Sequence, residues 1–488
     1  MDINGVNRMP SWYFSQMKGS IDDDCNEVDQ ISSMSFDPTG NFLATGDRGG
    51  RVVIFRRNET VKHNVVYDVY GTFTSHEAGF DYLKSVEIEE KINKIEWLPK
   101  INSSRCLLTT NDKVIKLWRV KERPANCQTS NNSSKSFKHA DTPFVLGTRV
   151  ESSCRKTFAN AHTFNINSLS INSDQETFLS SDELRINIWN LQYTDQSFNI
   201  VDLKPPNMEN LTEVITAAKF HPTNCSMFVY SLSKGVVRLC DMRQRALCDQ
   251  YSFQFVDNDE SVNKSFFSEI ISSISDISFS HSGQMLMARD YLNLKIWDLR
   301  QNSQPLETFP VHDHFRAKLC GLYENDCIFD KFECSWSSDD RYILTGSYNN
   351  FFRVFDVSQR TSVTLQVSRD MIDGSVSLAN KFVSTRSLSS NSRGRENEVS
   401  LESLDLSKKL LHLNWHPTEN VLAIAATNNL YILQNHNYVV DSVSDVTMNP
   451  LESDSPDSHL NNGYSHNEQQ QQQFTDNNSP IRMEIDDV

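Results

Sequence analysis

Short runs in which apolar and polar residues alternate recur seven times along the chain. The first run of each unit reads ISSMSF (31–36), INKIEW (92–97), INSLSI (166–171), ITAAKF (215–220), ISDISF (274–279), FECSW (332–336) and LHLNW (411–415). Each ends on an aromatic residue or Ile and passes into a turn rich in Asp, Asn, Pro, Ser and Gly. A later run closes each unit: GRVVIF (50–55), VIKLW (114–118), RINIW (185–189), VVRLCD (236–241), NLKIWD (293–298), FFRVFD (351–356) and NLYILQ (429–434). Alternation with period two predicts strands that bury one face, and the turn residues supply the tight dihedrals between them. Copies start roughly 50 to 80 residues apart, longer than the ~40–45 of a minimal WD repeat, so insertions separate them.

Seven units of three or four strands with Trp-Asp-like endings predict an all-β, seven-bladed WD-repeat β-propeller over residues 1–434. In such repeats a His, a Ser or Thr, an Asp and a Trp are hydrogen-bonded across the blade. His162, Ser181, Glu183 and Trp189 stand at those spacings in unit three, with Glu183 in the Asp position, and Asp112 and Trp118 in unit two. NLYILQ is followed by NHNYVVDS and then low-complexity sequence, so a fourth strand for the last blade must come from elsewhere. The segment 11–19, SWYFSQMKG, has strand composition and is expected to pair there and latch the ring, because an open edge invites aggregation. The Ser/Asn-rich insert 121–153 reads as a disordered loop or a projecting hairpin, and 367–402 as a flexible loop between blades six and seven. The tail 435–488 holds a five-Gln run, ten acidic residues and one Arg, a composition that cannot bury a core, and is expected to be disordered.

Composition narrows the function. The net charge is −16, of which −9 sits in the tail. Without a basic surplus the chain does not suit nucleic acid, whereas basic partners fit. No run of about 18 apolar residues predicts a membrane span, and the N-terminus lacks the basic and apolar regions of a secretory leader. A cytoplasmic or nuclear protein is expected. The ten cysteines are scattered with no Cys-x-x-Cys pair, so they read as small buried residues, and no metal or cofactor is expected. There is no phosphate-cradling Gly loop, no G-x-S-x-G elbow and no His-Glu-x-x-His. The glycines of TGDRGGR (45–51) are turn glycines, and His221 and His416 recur before Pro at equivalent turns, which suits structure more than catalysis. No catalytic residue is assigned.

Several longer stretches go beyond generic repeats. FDYLKSVEIEEKINKIEWLP (80–99), FANAHTFNINSLSINSD (158–174), SFNIVDLKPPNMENLTEVITAAKFHP (197–222), SFFSEIISSISDISFSHSG (265–283) and LYENDCIFDKFECSW (322–336) closely resemble the B-type regulatory subunits of the Ser/Thr protein phosphatase 2A, from about Trp12 to Gln434. The resemblance implies a non-enzymatic, substrate-recruiting propeller. It would dock on a helical-repeat scaffold subunit that also holds the catalytic subunit, whose two-metal site performs the dephosphorylation. It implies a substrate groove on the upper face formed by Asp182, Glu183, Leu211, Val214, Tyr323, Glu324, Asp326, Phe329, Phe80 and Lys84. Carboxylates beside apolar anchors suit phosphoproteins with basic flanks. It implies scaffold docking through a hairpin of blade two, the place of the 121–153 insert, although that insert departs strongly from the family pattern. Asn165 stands where the family often has His, a departure that bears on substrate preference.

Plainer readings stand beside these. Glu183 could serve only the blade's hydrogen-bond chain, and Leu211 and Val214 could be core residues, whereas 323–326 is an irregular stretch before a strand and suits an exposed site. For the whole chain the rivals are a WD-repeat substrate receptor of a ubiquitin ligase, which would call for an F-box-like helix before Ile31 and an Arg-rich upper face, and a generic assembly scaffold.

Overall fold

The computed structural model describes residues 11–19, 26–61, 64–99, 104–124, 148–245, 247–248, 250–257, 266–368 and 405–435. The tail beyond Asn435, most of the 121–153 insert and all but the first two residues of 367–402 lie outside these residues. The chain is the seven-bladed β-propeller its repeats predict: seven four-stranded antiparallel sheets and one small hairpin, Gly79–Asp81 with Val86–Ile88. The innermost strands are Ile31–Phe36, Lys94–Trp97, Ser168–Ile171, Ile215–Phe220, Asp276–Phe279, Cys334–Trp336 and Leu413–Trp415. Each falls within the first apolar run of its unit. Among the described residues no helix is long and apolar enough to cross a membrane.

In six blades the four strands follow one another in sequence. The seventh takes Leu413–Trp415, Val421–Ala426 and Asn429–Asn435 from the C-terminal end of the ring and Trp12–Lys18 from its beginning. The N-terminal strand runs antiparallel to Asn429–Asn435, from Trp12 opposite Asn435 to Lys18 opposite Leu430. Trp12 is buried edge-on to Trp415, with ring centroids 5.3 Å apart. The strand also reaches across to blade one, where Ser15 donates to the Val65 carbonyl and Tyr67 N–H donates to the Gln16 side chain. The first polypeptide segment therefore covers an edge and fastens blade seven to blade one.

The alternation also explains the sides of each blade. One face of a sheet packs on the preceding blade and the other on the next, so apolar clusters lie between blades. Phe178 and Trp189 pack with Leu108, Leu117 and Phe158 between blades two and three. Leu179 and Ile186 face Phe220 and Phe228 between blades three and four. Small polar residues at alternate inner-strand positions tie neighbours together: Ser168 and Ser170 accept from the N–H groups of Ala218 and Phe220. His221 and His416 turn out to be inter-blade staples. Each Nδ1 accepts from two backbone N–H groups of its own turn, and each Nε2 donates to a glycine carbonyl of the next blade, Gly283 and Gly40 respectively. Those glycines have positive φ, and a Cβ on either would collide with the imidazole.

Removing the Trp12 side chain should cost roughly 3–5 kcal/mol of stability, the usual penalty for deleting a large buried aromatic. Deleting residues 1–20 should lower the melting temperature more than Trp12→Ala does. Differential scanning calorimetry checks both, and an unchanged melt of the truncated chain is the contrary result.

Candidate functional site

Up-and-down strands put every second-to-third-strand turn and every blade-to-blade loop at one end of the ring, here the upper face. The longest insertions among the described residues lie there. They are the hairpin 79–88, the loop 203–214, the stretch around helix Phe266–Ser272, and the segment 311–333 with helices Asp313–Lys318, Leu319–Glu324 and Cys327–Phe329.

Blade three shows how a turn is held on that face. Trp189 Nε1 donates to Ser180 Oγ at 2.8 Å, Ser180 lies 2.6 Å from His162 Nε2, and His162 Nδ1 lies 3.0 Å from an Asp182 oxygen. A neutral imidazole carrying its hydrogen on Nδ1 satisfies all of them: it donates to the carboxylate and accepts from the serine. The other Asp182 oxygen accepts from the N–H groups of Leu184 and Arg185, closing the turn. Burial pushes the Asp182 carboxyl up, but His162 and these backbone donors hold it below its ordinary range.

Two assignments are thereby corrected. The serine is Ser180, not Ser181. Period-two alternation turns Ser181 to the opposite side of the sheet, where it donates to Asn167. The acid is Asp182, not Glu183. Asp182 is fully buried and spent on the turn, so it does not face a substrate, while Glu183 is exposed and its carbonyl accepts from Ile215 N–H. Blade two is displaced by one residue in the same way. Asn111 accepts from the N–H groups of Lys113 and Val114, whereas Asp112 accepts from Asn93. Trp118 packs on Phe73 and its indole N–H has no hydrogen-bond partner among the described residues, so Asp112 and Trp118 form no chain there.

The other expected residues are on the upper face. Tyr323, Glu324, Asp326 and Phe329 are all exposed, although Leu322, Cys327 and Ile328 between them are buried. Asp326 takes a left-handed backbone, φ 57°, which turns the chain between the two short helices. Tyr323 and Phe329 lie 5.8 Å apart by ring centroids, and the neighbouring helix adds Phe266 and Phe267 at 5.6 and 5.9 Å from Tyr323. With Phe266 68 % and Phe329 53 % exposed, this is an aromatic platform edged by carboxylates. Phe266 and Phe267 are not among the residues expected from the sequence, because SFFSEIISS looks like any apolar helix.

Leu211 and Val214 are half-buried and flank the one-turn helix Met208–Asn210 rather than lying in it, so they are neither core nor freely projecting. Val214 N–H donates to Ser233 Oγ. Phe80 and Lys84 are exposed on the 79–88 hairpin, where Asp81 caps the tip by accepting from Leu83 and Lys84 N–H groups. Asn165 is exposed on the loop entering blade three. Lys331 lies near Glu183, and desolvation holds it below its ordinary pKa, with Glu183 opposing.

Beneath the face, the inner strands line a channel with a free volume of about 300 Å³. Glu333 pairs with Lys94, and Glu96 lies 3.7 Å from Lys219. Burial would neutralise both members of the first pair, yet each holds the other charged, Lys94 raised and Glu333 lowered. Asp276 lies in the same cluster and accepts from the Cys334 N–H and thiol. Among the described residues no group of three or more His, Cys, Asp or Glu could hold a metal ion.

Comparisons with known proteins agree with this architecture. The model of the WD domain, G-beta repeat, matches residues 24–56, 152–190 and 332–356. The protein phosphatase PP2A 55 kDa regulatory subunit of Drosophila melanogaster is 54% identical over 453 residues, covering 89% of this chain and 90% of that protein.

The two acids of the blade-three turn should separate on mutation. Asp182→Ala leaves the His162 Nδ1–H and two backbone N–H groups unpaired in a buried site and should cost on the order of 2–4 kcal/mol. Glu183→Ala should stay within about 0.5 kcal/mol, as surface changes do. Urea denaturation measures both, and equal costs would overturn the assignment.

Proposed function

Because the chain belongs to the family of the 55 kDa regulatory subunits of protein phosphatase PP2A, we propose that it recruits phosphoproteins to a separate catalytic subunit by docking them on its upper face. The observation that carries this reading is the aromatic platform of Tyr323, Phe329, Phe266 and Phe267 edged by Glu324 and Asp326. Glu183 and the half-buried Leu211 and Val214 extend the acidic and apolar character toward blades three and four. Apolar anchors supply affinity, and carboxylates steer basic segments and set their register. Polypeptides with Lys or Arg flanking a phosphorylated Ser or Thr fit both features. The chain is a regulatory subunit rather than the phosphatase, so the ubiquitin-ligase and generic-scaffold readings give way. Phosphoester hydrolysis then belongs to the partner, and this chain contributes effective concentration.

Docking on the scaffold subunit is assigned to blade two. Its third and fourth strands, Ile115–Pro124 and Thr148–Phe158, run beyond the blade as an antiparallel pair from Ile115 opposite Phe158 to Pro124 opposite Thr148. The described end of this ribbon carries Arg119, Lys121, Arg123 and Arg155 beside Glu151, a basic surface unlike the acidic upper face. A cytoplasmic or nuclear location accords with such a partnership.

Two expectations test the reading. Affinity purification of the full chain from cell extract, followed by mass spectrometry, should recover scaffold and catalytic subunits. Glu183→Lys, or Asp326→Asn (which tolerates the left-handed backbone), should reduce co-recovered basic phosphoproteins about threefold or more with scaffold recovery unchanged; equal recovery counts against the upper face. Shortening 125–150 should abolish scaffold recovery while leaving the melting temperature within a few degrees. Retained scaffold would refute the blade-two assignment.

A further inference from the structure

The segment 311–333 is long for a loop, yet it presents Tyr323, Asp326 and Phe329 in fixed positions. Its underside shows what holds it. Tyr348, at the second-to-third-strand turn of blade six, is 1 % exposed and points up into the loop. Its hydroxyl lies 2.6 Å from the Cys327 carbonyl and 3.0 Å from an Asp330 carboxylate oxygen, the two bracketing the turn that carries Phe329. The Tyr291 hydroxyl of blade five is 3.0 Å away. A phenol has one hydrogen, so Tyr348 shares it between the two loop acceptors while Tyr291 donates to its lone pair. The other Asp330 oxygen accepts from Lys409, whose backbone bridges to Tyr348 on the strand entering blade seven. Around the Tyr348 ring pack Phe332, Phe315 and His312, and His312 is itself fixed by Ser347 and the Tyr291 carbonyl.

We propose that Tyr348 is a positioning residue for the docking face: through Cys327 and Asp330 its hydroxyl fixes the 323–329 turn to blades five, six and seven, and so sets the spacing of the aromatic platform and its acidic edge. The inference rests on the reading of that face given above. Blades five and six meet at this hydroxyl, Lys409 ties the same Asp330 to the segment entering blade seven, and no other described side chain bonds both ends of the Cys327–Asp330 turn. The ring alone would preserve packing; the hydroxyl adds direction. A buried polar group satisfied in this way specifies one arrangement, because every alternative leaves a donor or acceptor unpaired.

The test uses reconstituted holoenzyme with a phosphothreonine peptide carrying Lys and Arg flanks, with para-nitrophenyl phosphate as a substrate too small to need the platform. Tyr348→Phe should raise KM for the peptide on the order of fivefold. Its kcat and turnover of the small ester should not change, because the chemistry lies in the other chain. Amide hydrogen exchange over 319–330 should accelerate, while Ile343 and Leu344 in the blade should not. Lys409→Met should act in the same direction and Lys409→Arg should retain wild-type values, which keeps the test valid if Tyr348→Phe folds poorly. Unchanged KM and exchange in folded Tyr348→Phe, with Tyr323→Ala raising KM, would overturn this inference and spare the docking face. If Tyr323→Ala also leaves KM unchanged, the docking face itself fails, and exchange over 319–330 alone then decides whether the tie orders the loop.

Discussion

A four-stranded sheet with two apolar faces is stable only when another sheet lies against each, and closing seven of them into a ring supplies that second neighbour for every blade. The whole molecule depends on this closure. At the seam Trp12 packs on Trp415, Ile31 N–H donates to the Thr427 carbonyl, and Arg57 grips Glu419 with both terminal guanidinium nitrogens. Burial of Trp12 within the cluster of blades six and seven makes the N-terminal strand part of the core and more than a cover for an edge. Long insertions on one face are tolerated because the ring beneath them does not rely on their contacts.

Sequence patterning revealed the ring because its requirement is repetitive. Each blade needs an alternating inner strand and a turn, so seven copies reinforce one another even where a single copy is weak. It did not resolve which of two adjacent residues faces inward. Ser180 and Ser181 are equally compatible with the spacing, as are Asp182 and Glu183, or Asn111 and Asp112. The choice is made by register: Ser180 pairs with Asn187 on the side of His162, and Ser181 does not. Counting residues gives proximity, but pleat decides the side, and a slip of one inverts every assignment.

The candidate site was legible in a different way. Tyr323 to Asp326 stood out as an irregular stretch before a strand, whereas Phe329, Phe80, Glu183 and Leu211 came from likeness to a family rather than from any local chemistry. Nothing local could have joined them, because blades one, three, four and five supply them from positions up to about 250 residues apart. The Phe266–Phe267 pair stayed hidden for a physical reason. Two adjacent aromatics at the start of a short amphipathic helix signal burial, and one of them is indeed half-buried against the cluster of Leu322 and Ile328 while the other projects.

The polar ties under the upper face and the apolar clusters between blades do different work. Between blades, non-directional burial supplies cohesion, and neighbouring packings of similar volume would serve nearly as well. Under the 311–333 segment, Arg289 donates to the carbonyls of Asp290, Tyr291 and Asn293 and approaches His312 at 3.3 Å, with no carboxylate bonded to it. Burial lowers its pKa to about 10, still well above neutrality, so a full charge is kept in the interior to hold backbone in one shape. An apolar residue there would cost less desolvation but would remove the donor to the Asp290 carbonyl and the shared tie to the Tyr291 and Asn293 carbonyls. A surface borne on loops keeps its aromatic rings and carboxylates at set distances only through such directional fixing, which apolar burial alone does not supply.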